Sequence, residues 1–321
     1  MRPEVRLALI GGGDHGLRAL ASAVTQLPGW SIVAVADPDP GARARAAIAL
    51  PQALLHADHE SLLERTDGID LIVVATPPAA TAAVAKAALT SNAAILIEKP
   101  GALVAADLET IPTARVPFVT CAYSYRFHPT VIAFRAALPR VGSVARLELC
   151  FTAPMNAEGT WRASRESGGG ALRDLGTHLL DFARQALGVP LTFAHGSIRS
   201  VKSGDDDVTL EFTAGTARVL LRCAYHGAPV FRLVAVGERG QLHADLWSMT
   251  TPARGWFEML SSKVRTKLPG PLRPHAALFK SRMETLLAAV APRTTNAPAS
   301  IANAAAILRL VEAAEQRSHH E

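Results

Sequence analysis

Cysteine, aromatic residues and long apolar runs are all scarce in this sequence. Three cysteines, Cys121, Cys150 and Cys223, stand far apart among 321 residues. An odd, scattered set makes neither a disulfide framework nor a zinc pattern, and reads as buried thiols in a reducing compartment. Aromatics amount to 5%, too few to interleave a basic stretch as a platform for stacked bases. No run of roughly eighteen uncharged apolar residues occurs, which excludes a membrane-spanning helix. The histidines are scattered without a His-x-x-x-His pair, so no metal site is expected. The absence of a G-x-S-x-G elbow removes support for serine hydrolysis. Met1 leads almost directly into Val5-Arg6-Leu7-Ala8-Leu9-Ile10. The expectation is therefore a cytoplasmic chain without a signal peptide.

What is present is apolar mass. The chain is 49% hydrophobic, mostly alanine, valine and leucine, and long enough for two cores. A net charge of +5 comes from 33 Lys and Arg against 28 Asp and Glu. Much of the excess sits at Lys263, Arg265, Lys267, Arg273, Lys280 and Arg282, with no acid before Glu284. An exposed basic loop is expected there rather than a nucleic-acid surface, with an anionic small molecule as the intermediate reading.

Periodicity divides the chain. Over residues 1–122, apolar runs at 5–10, 31–36, 70–75, 94–97 and 116–122 alternate with alanine-rich helical stretches at 16–27, 42–49, 59–65 and 80–90. That is the pattern of a parallel sheet covered on both faces, an α/β domain. Residues 123–321 read differently, as an α+β domain on a mostly antiparallel, open-faced sheet. Helices are expected at 129–138, 171–187 and 301–318, and strands at 144–152, 191–198, 207–213, 217–223 and 231–237. An uncovered apolar sheet face would need burial, so a homo-oligomer is expected.

The glycine run carries the first chemistry. Gly11, Gly13 and Gly16 form G-x-G-x-x-G around Asp14 and His15, directly after a strand and opening a helix. The first glycine permits a tight turn, the second lets backbone approach a pyrophosphate, and the third lets helix pack on strand. The helix N-terminus then favours the phosphate charge. Asp37 ends the second strand, about 20 residues on, where an acid accepts ribose hydroxyls. A 2′-phosphate would meet a like charge there, so NAD is favoured over NADP. Arg43 and Arg45 downstream keep NADP open.

Glu98-Lys99-Pro100 places two charges at the carboxyl end of an apolar strand, where open α/β sheets bind ligands. A lysine there can hold a hydroxyl or support charge on a reacting oxygen. In the second domain a Gly168-Gly169-Gly170 loop feeds a helix bearing Asp174 and His178, four apart and on one face. A histidine titrating near neutrality can carry the proton that accompanies hydride transfer. Asp174 could orient it or bind a neighbouring hydroxyl, while Asp181 is expected to pair with Arg184. Arg126, Arg162 and Arg165 could clamp a carboxylate or phosphate.

With these residues the chain resembles the glucose–fructose oxidoreductase, inositol dehydrogenase and MocA family of NAD(P)-dependent oxidoreductases. The likeness runs through residues 11–16, Asp37, Ala75-Thr76-Pro77, Glu98-Lys99-Pro100, Tyr125-Arg126-Phe127, Trp161-Arg162 and residues 168–181. It implies a Rossmann dinucleotide-binding domain followed by an α+β substrate domain. It also implies that Lys99, Asp174 and His178 form the catalytic set, with His178 the general acid/base. Thr76, Pro77 and Glu98 would line the cofactor, and Arg126, Trp161 and Arg162 would lie near nicotinamide and substrate. In the family the peptide before the proline of Glu98-Lys99-Pro100 is often cis. One departure is that Pro78-Ala79-Ala80-Thr81 lacks the histidine often found there, leaving Thr81 to offer a weaker cofactor contact. The basic, proline-interrupted segment 256–274 matches nothing in the family pattern.

The reading is hydride transfer to or from a carbinol or carbonyl carbon of a polyhydroxylated small molecule: a sugar, cyclitol or nucleotide sugar. Two alternatives stay open. One is hydrolysis or epimerisation through transient oxidation by tightly held NAD. The other is a cofactor-binding regulator without turnover.

Overall fold

The computed structural model describes residues 4–13, 15–112, 118–201, 206–247, 284–287, 290 and 299–320. Asp14 and the basic segment 256–282 lie outside them. Contacts divide the chain into two compact units, residues 1–124 with 280–305 and residues 125–279 with 306–321.

The first unit is built on six parallel strands in the order β3-β2-β1-β4-β5-β6. They are β1 (Val5–Ile10), β2 (Trp30–Ala36), β3 (Leu54–His56), β4 (Leu71–Val74), β5 (Ala94–Ile97) and β6 (Val119–Cys121). Every residue of β4 and β5 is buried, as expected where helices cover both sheet faces. The covering helices start where the sequence supplies caps. Asp39 accepts from the N–H groups of Gly41 and Ala42 ahead of the helix Pro40–Ala49. Pro78 opens the helix Pro78–Ala88, a position where its missing N–H costs nothing. The strand order reverses between β1 and β4, so the crevice for a ligand opens at the carboxyl ends of those strands. The Lys99–Pro100 peptide is cis.

The second unit carries a seven-stranded sheet, ordered β12-β11-β7-β10-β9-β8-β13. These are β7 (Val144–Thr152), β8 (Thr192–Arg199), β9 (Asp207–Ala214), β10 (Ala217–Ala224), β11 (Val230–Gly237), β12 (Gly240–Asp245) and β13 (His319–His320). β7 with β10 and β8 with β13 run parallel, and the other neighbours are antiparallel. Alternation sends Leu147, Leu149 and Phe151 of β7, with Val219, Leu221 and Cys223 of β10, into the core. The helix Thr177–Leu187 packs against β7 through its buried apolar side. Each fully buried leucine there contributes roughly 1.5–3 kcal/mol.

The other face of this sheet carries the polar residues that the period-two alternation predicts. Register aligns Thr209, Arg222, Cys150, Arg232 and Asp245 in one row across five strands. Arg218 pairs with Glu211 and Arg146 with Glu148 on the same side. The polar members of the period-two pattern fall here beside Leu220, Val230, Val234 and Val236, so the face mixes charged and apolar side chains. His319-His320 forms the short strand β13 beside β8. A groove of about 800 Å³ lies at the C-terminal end of the helix Thr177–Leu187, lined by Ile132, Arg135, Leu187 and Val189 among others. Asp174 and His178 sit at the opposite end of that helical segment.

Candidate active site

The glycine loop closes on β1 under steric constraints that differ at each glycine. Gly11 has φ +104°, and a Cβ there would lie 2.5 Å from Ala75 O. A Cβ at Gly16 would lie 2.3 Å from Gly11 O, so the helix start can press on the turn only without a side chain. A Cβ at Gly13 would meet nothing within 4 Å. Gly13 thus borders open space, where its backbone is accessible to a pyrophosphate. The helix begins as a π turn, Gly16–Ala21.

Asp37 stands at the end of β2 beside this loop. Its Oδ2 accepts from Gly12 N at 2.7 Å and its Oδ1 from Asp39 N at 2.8 Å. A carboxylate offers about four lone-pair sites, so both oxygens are aimed and each keeps capacity for one hydroxyl. The two downstream arginines have local partners. Arg43 Nη1 donates to Asp37 O at 2.7 Å and Pro38 O at 3.0 Å, and Arg45 lies 3.7 Å from Asp39.

Around β5, His15 Nε2 meets Glu98 Oε1 at 3.0 Å. Burial alone would raise the Glu98 carboxyl, but the facing His15 and neighbouring Lys99 more than offset it and hold it below its ordinary value. Lys99 follows directly, half-buried. Thr76 and Pro77 form the bend after β4, and Thr81 is turned to them. Its hydroxyl lies 3.0 Å from the Thr76 and Pro77 carbonyl oxygens and from Thr76 Oγ1. With 1% of its surface exposed, Thr81 fastens this bend rather than facing a cofactor.

In the second unit the helix bearing Asp174 and His178 also begins as a π turn, Leu172–Gly176. Such turns re-aim side chains and are frequent at functional sites. A Cβ on Gly176 would lie 2.7 Å from Leu172 Cδ1 and 3.3 Å from Cys223 Sγ, which sets the close seat of this segment on β10. Asp174 is 4% exposed, and its Oδ2 accepts from Arg162 Nε at 2.8 Å. The Arg162 guanidinium lies over the Trp161 ring, 4.5 Å from its centroid. Trp161 and Arg162 thus brace Asp174. His178 is buried edge-on to Tyr125, ring centroids 4.7 Å apart.

Arg126 reaches Asp181 rather than opening freely to a ligand. Its Nε donates to Oδ2 at 2.8 Å and its Nη2 to Oδ1. Gln185 Nε2 adds a bond to Asp181 Oδ2 at 2.7 Å. Arg184 was the partner expected for Asp181; the two-pronged geometry of Arg126 supplies a better match, since a planar fork fits a carboxylate.

Residues 5–115 match the model of an oxidoreductase family with an NAD-binding Rossmann fold, and residues 138–243 match the GFO/IDH/MocA C-terminal domain. The chain belongs to the GFO/IDH/MocA family. A dTDP-3,4-didehydro-2,6-dideoxy-α-D-glucose 3-reductase of Streptomyces antibioticus is 30% identical over 61% of this chain and 61% of its own. Inositol 2-dehydrogenase 1 of Saccharopolyspora erythraea is 34% identical over 42% of this chain and 41% of its own. These matches span less than two thirds of either relative. A 3-ketoreductase from Actinomadura kijaniata, solved with NADP and TDP-benzene, superposes with a TM-score of 0.79 at 18% identity, covering 99% of both chains. That likeness is one of fold.

For a GFO/IDH/MocA protein the structure therefore gathers two groups. Gly11, Gly13, His15, Gly16, Asp37, Thr76, Pro77, Glu98 and Lys99 belong to the first unit, around the loops after β1, β2, β4 and β5. Arg126, Trp161, Arg162, Asp174 and His178 belong to the second. Tyr225, whose hydroxyl lies 3.2 Å from Asp174 Oδ2, is absent from the sequence reading. No spacing rule connects an aromatic residue just past a strand with an aspartate 51 residues earlier. Among the described residues no cluster of three metal-ligating side chains occurs. No described helix is long and apolar enough to cross a membrane.

Proposed function

We propose that the protein is a cytoplasmic, NAD(H)-preferring oxidoreductase acting on a carbinol or carbonyl carbon of a sugar, cyclitol or nucleotide sugar. The observation that carries this reading is the glycine turn itself, too tight for side chains at Gly11 and Gly16, open at Gly13, and bonded through Gly12 to the Asp37 carboxylate. Gly11, Gly13 and Gly16 would hold the pyrophosphate, and Asp37 the adenosine ribose. The local partners of Arg43 and Arg45 leave the Asp37 charge as the main discriminator against a 2′-phosphate. Nicotinamide, when bound, supplies or takes up the hydride. His178 would exchange the proton with the substrate oxygen, while Asp174 and Lys99 position the reacting hydroxyl. The named relatives, a keto-sugar reductase and an inositol dehydrogenase, support a hydroxylated ring as substrate. The thiols Cys121, Cys150 and Cys223, none of them in a disulfide, fit a reducing cytoplasm.

The test is titration of purified protein with NADH and NADPH by nicotinamide fluorescence, then a turnover panel of polyols, keto sugars and nucleotide sugars. Tight, exchangeable NADH binding with turnover of a hydroxylated ring is the expected result. Cofactor that co-purifies and does not exchange would favour transient oxidation instead. Binding of neither nucleotide would overturn the reading.

A further inference from the structure

Asp174 is held by more than the helix that carries it. Its Oδ2 accepts from Arg162 Nε at 2.8 Å and from the Tyr225 hydroxyl at 3.2 Å. Tyr225 is 3% exposed and stands one residue beyond β10. Its backbone is pinned from both sides: its N–H donates to Asp206 O at 2.9 Å, and its carbonyl accepts from Met155 N at 2.9 Å. The phenol oxygen also lies 3.1 Å from Gly170 O, in the loop that leads into the Asp174 segment. A carbonyl and a carboxylate are both acceptors, so the single phenol proton must be present and is shared between them. Burial first, and then the Asp174 charge, push ionisation of Tyr225 far above the usual tyrosine range, with Arg162 opposing only in part. Tyr225 is a permanent neutral donor.

We infer that Tyr225 is a positioning residue: together with Arg162 it fixes Asp174 Oδ2, and so the direction in which that carboxylate meets the substrate. The inference rests on the oxidoreductase reading, in which Asp174 touches the reacting hydroxyl. Among the described residues, charged and titratable groups about Asp174 come from three elements. Arg162 comes from the turn Trp161–Ala163, and His178 from one turn along the same helical segment. Cys223 comes from β10 beneath, and its thiol is pushed well above its ordinary value by burial, with Cys150, Asp207 and Asp174 adding to the effect. Hydrogen bonds to a carboxylate favour its charged form. Loss of the phenol donor therefore makes Asp174 easier to protonate.

Tyr225→Phe keeps the buried ring and removes only the hydroxyl. The expected result is a kcat roughly tenfold lower with KM little changed, the scale of one hydrogen bond to a charged group. The acid limb of the kcat/KM profile should also move up by roughly one pH unit. A purely structural role would lower thermal stability and leave that limb in place. A second readout needs no turnover: the Asp174 carboxyl signal in ¹³C-aspartate-labelled protein, assigned by its loss in Asp174→Asn. Its titration midpoint should rise in Tyr225→Phe. An unmoved midpoint would overturn the positioning role, and so would a moved midpoint with an unmoved rate profile. Absence of turnover by the unmodified enzyme would count against the oxidoreductase reading itself, leaving the carboxyl titration to judge the Tyr225–Asp174 contact alone.

Discussion

At the scale of single residues, the candidate site separates groups that would touch substrate from groups that hold them. His178→Ala should lower turnover by roughly 10² to 10⁴ if the imidazole carries the proton, and Lys99→Ala should cripple turnover while NADH affinity stays close to unmodified. Steady-state rates beside fluorescence titrations separate the two effects, and retained activity in His178→Ala would remove that assignment. Arg126 is expected to behave differently. It forks onto Asp181, whose side chain is 4% exposed, so Arg126→Ala leaves a buried carboxylate without its cation. Breaking such a pair costs roughly 3–5 kcal/mol, and denaturant unfolding should show it. A stability change near zero with a raised KM would make Arg126 a substrate contact instead. Glu98 gives a pH dependence with a definite sign. Its carboxyl is held below the ordinary value of 4.5, so its ionised form contributes stability that is present above that pH and is lost as pH falls through the lower folded value. The melting-temperature gap between the unmodified protein and Glu98→Gln, measured without nucleotide, should therefore narrow progressively in acid below about pH 4.5.

At the scale of elements, two glycines of the turn make opposite predictions. Gly16→Ala would force a Cβ to 2.3 Å from the Gly11 carbonyl, where backbone must shift, and overpacking of this kind costs roughly 1–3 kcal/mol. Gly13→Ala meets open space, so the protein alone should keep its melting temperature while NADH affinity drops, because the added methyl occupies that space. Equal loss of stability in both variants would show that the Gly13 surface is not a ligand surface. The elements themselves were legible to different degrees, for physical reasons. β4 and β5 are unbroken apolar runs buried on both faces, and β9 alternates Thr209, Glu211 and Thr213 outward, so both periods stand out in the sequence. β3 escaped the reading because it is a three-residue edge whose Leu54 is 60% exposed. β12 carries only Leu242 and Ala244 inward, too little to stand out from a loop. The π turns at Gly16–Ala21 and Leu172–Gly176 leave no mark in spacing, because one wider turn keeps residues four apart close to one face. The glycine loop, Asp37 and the Asp174–His178 pair were legible since local spacing defines them. The contacts of Asp174 with Arg162 and Tyr225, of Asp181 with Arg126 and of Glu98 with His15 were not, because they join residues 12 to 83 positions apart.

At the scale of the whole molecule, the outer face of the second sheet changes how assembly should be argued. Arg146, Arg218, Arg222 and Arg232 stand there with Glu148 and Glu211 and beside Leu220, Val230, Val234 and Val236, so an assembly through this face would have to pair charges as well as bury apolar side chains. The global property that the site does control is stability in the presence of nucleotide. A ligand that binds the folded chain and not the unfolded one adds RT ln(1 + [L]/Kd), about 2.7 kcal/mol at a hundredfold excess over Kd. For chains of this order of size each kcal/mol raises Tm by roughly 2–4 °C, so NADH at that excess should raise it by several degrees. In the proposed reading Asp37 sets the ranking, since its carboxylate would accept ribose hydroxyls and repel a 2′-phosphate. NADPH at the same concentration should therefore produce a clearly smaller shift. Asp37→Ser removes the charge while keeping a short hydroxyl near Gly12, and should lower the NADH shift and raise the NADPH shift until the two converge or cross. Thermal melts of both proteins with each nucleotide make the comparison in one experiment. An unchanged ranking in Asp37→Ser would place the discriminating contact elsewhere in the loop, and a flat response to both nucleotides would remove the dinucleotide from the function altogether.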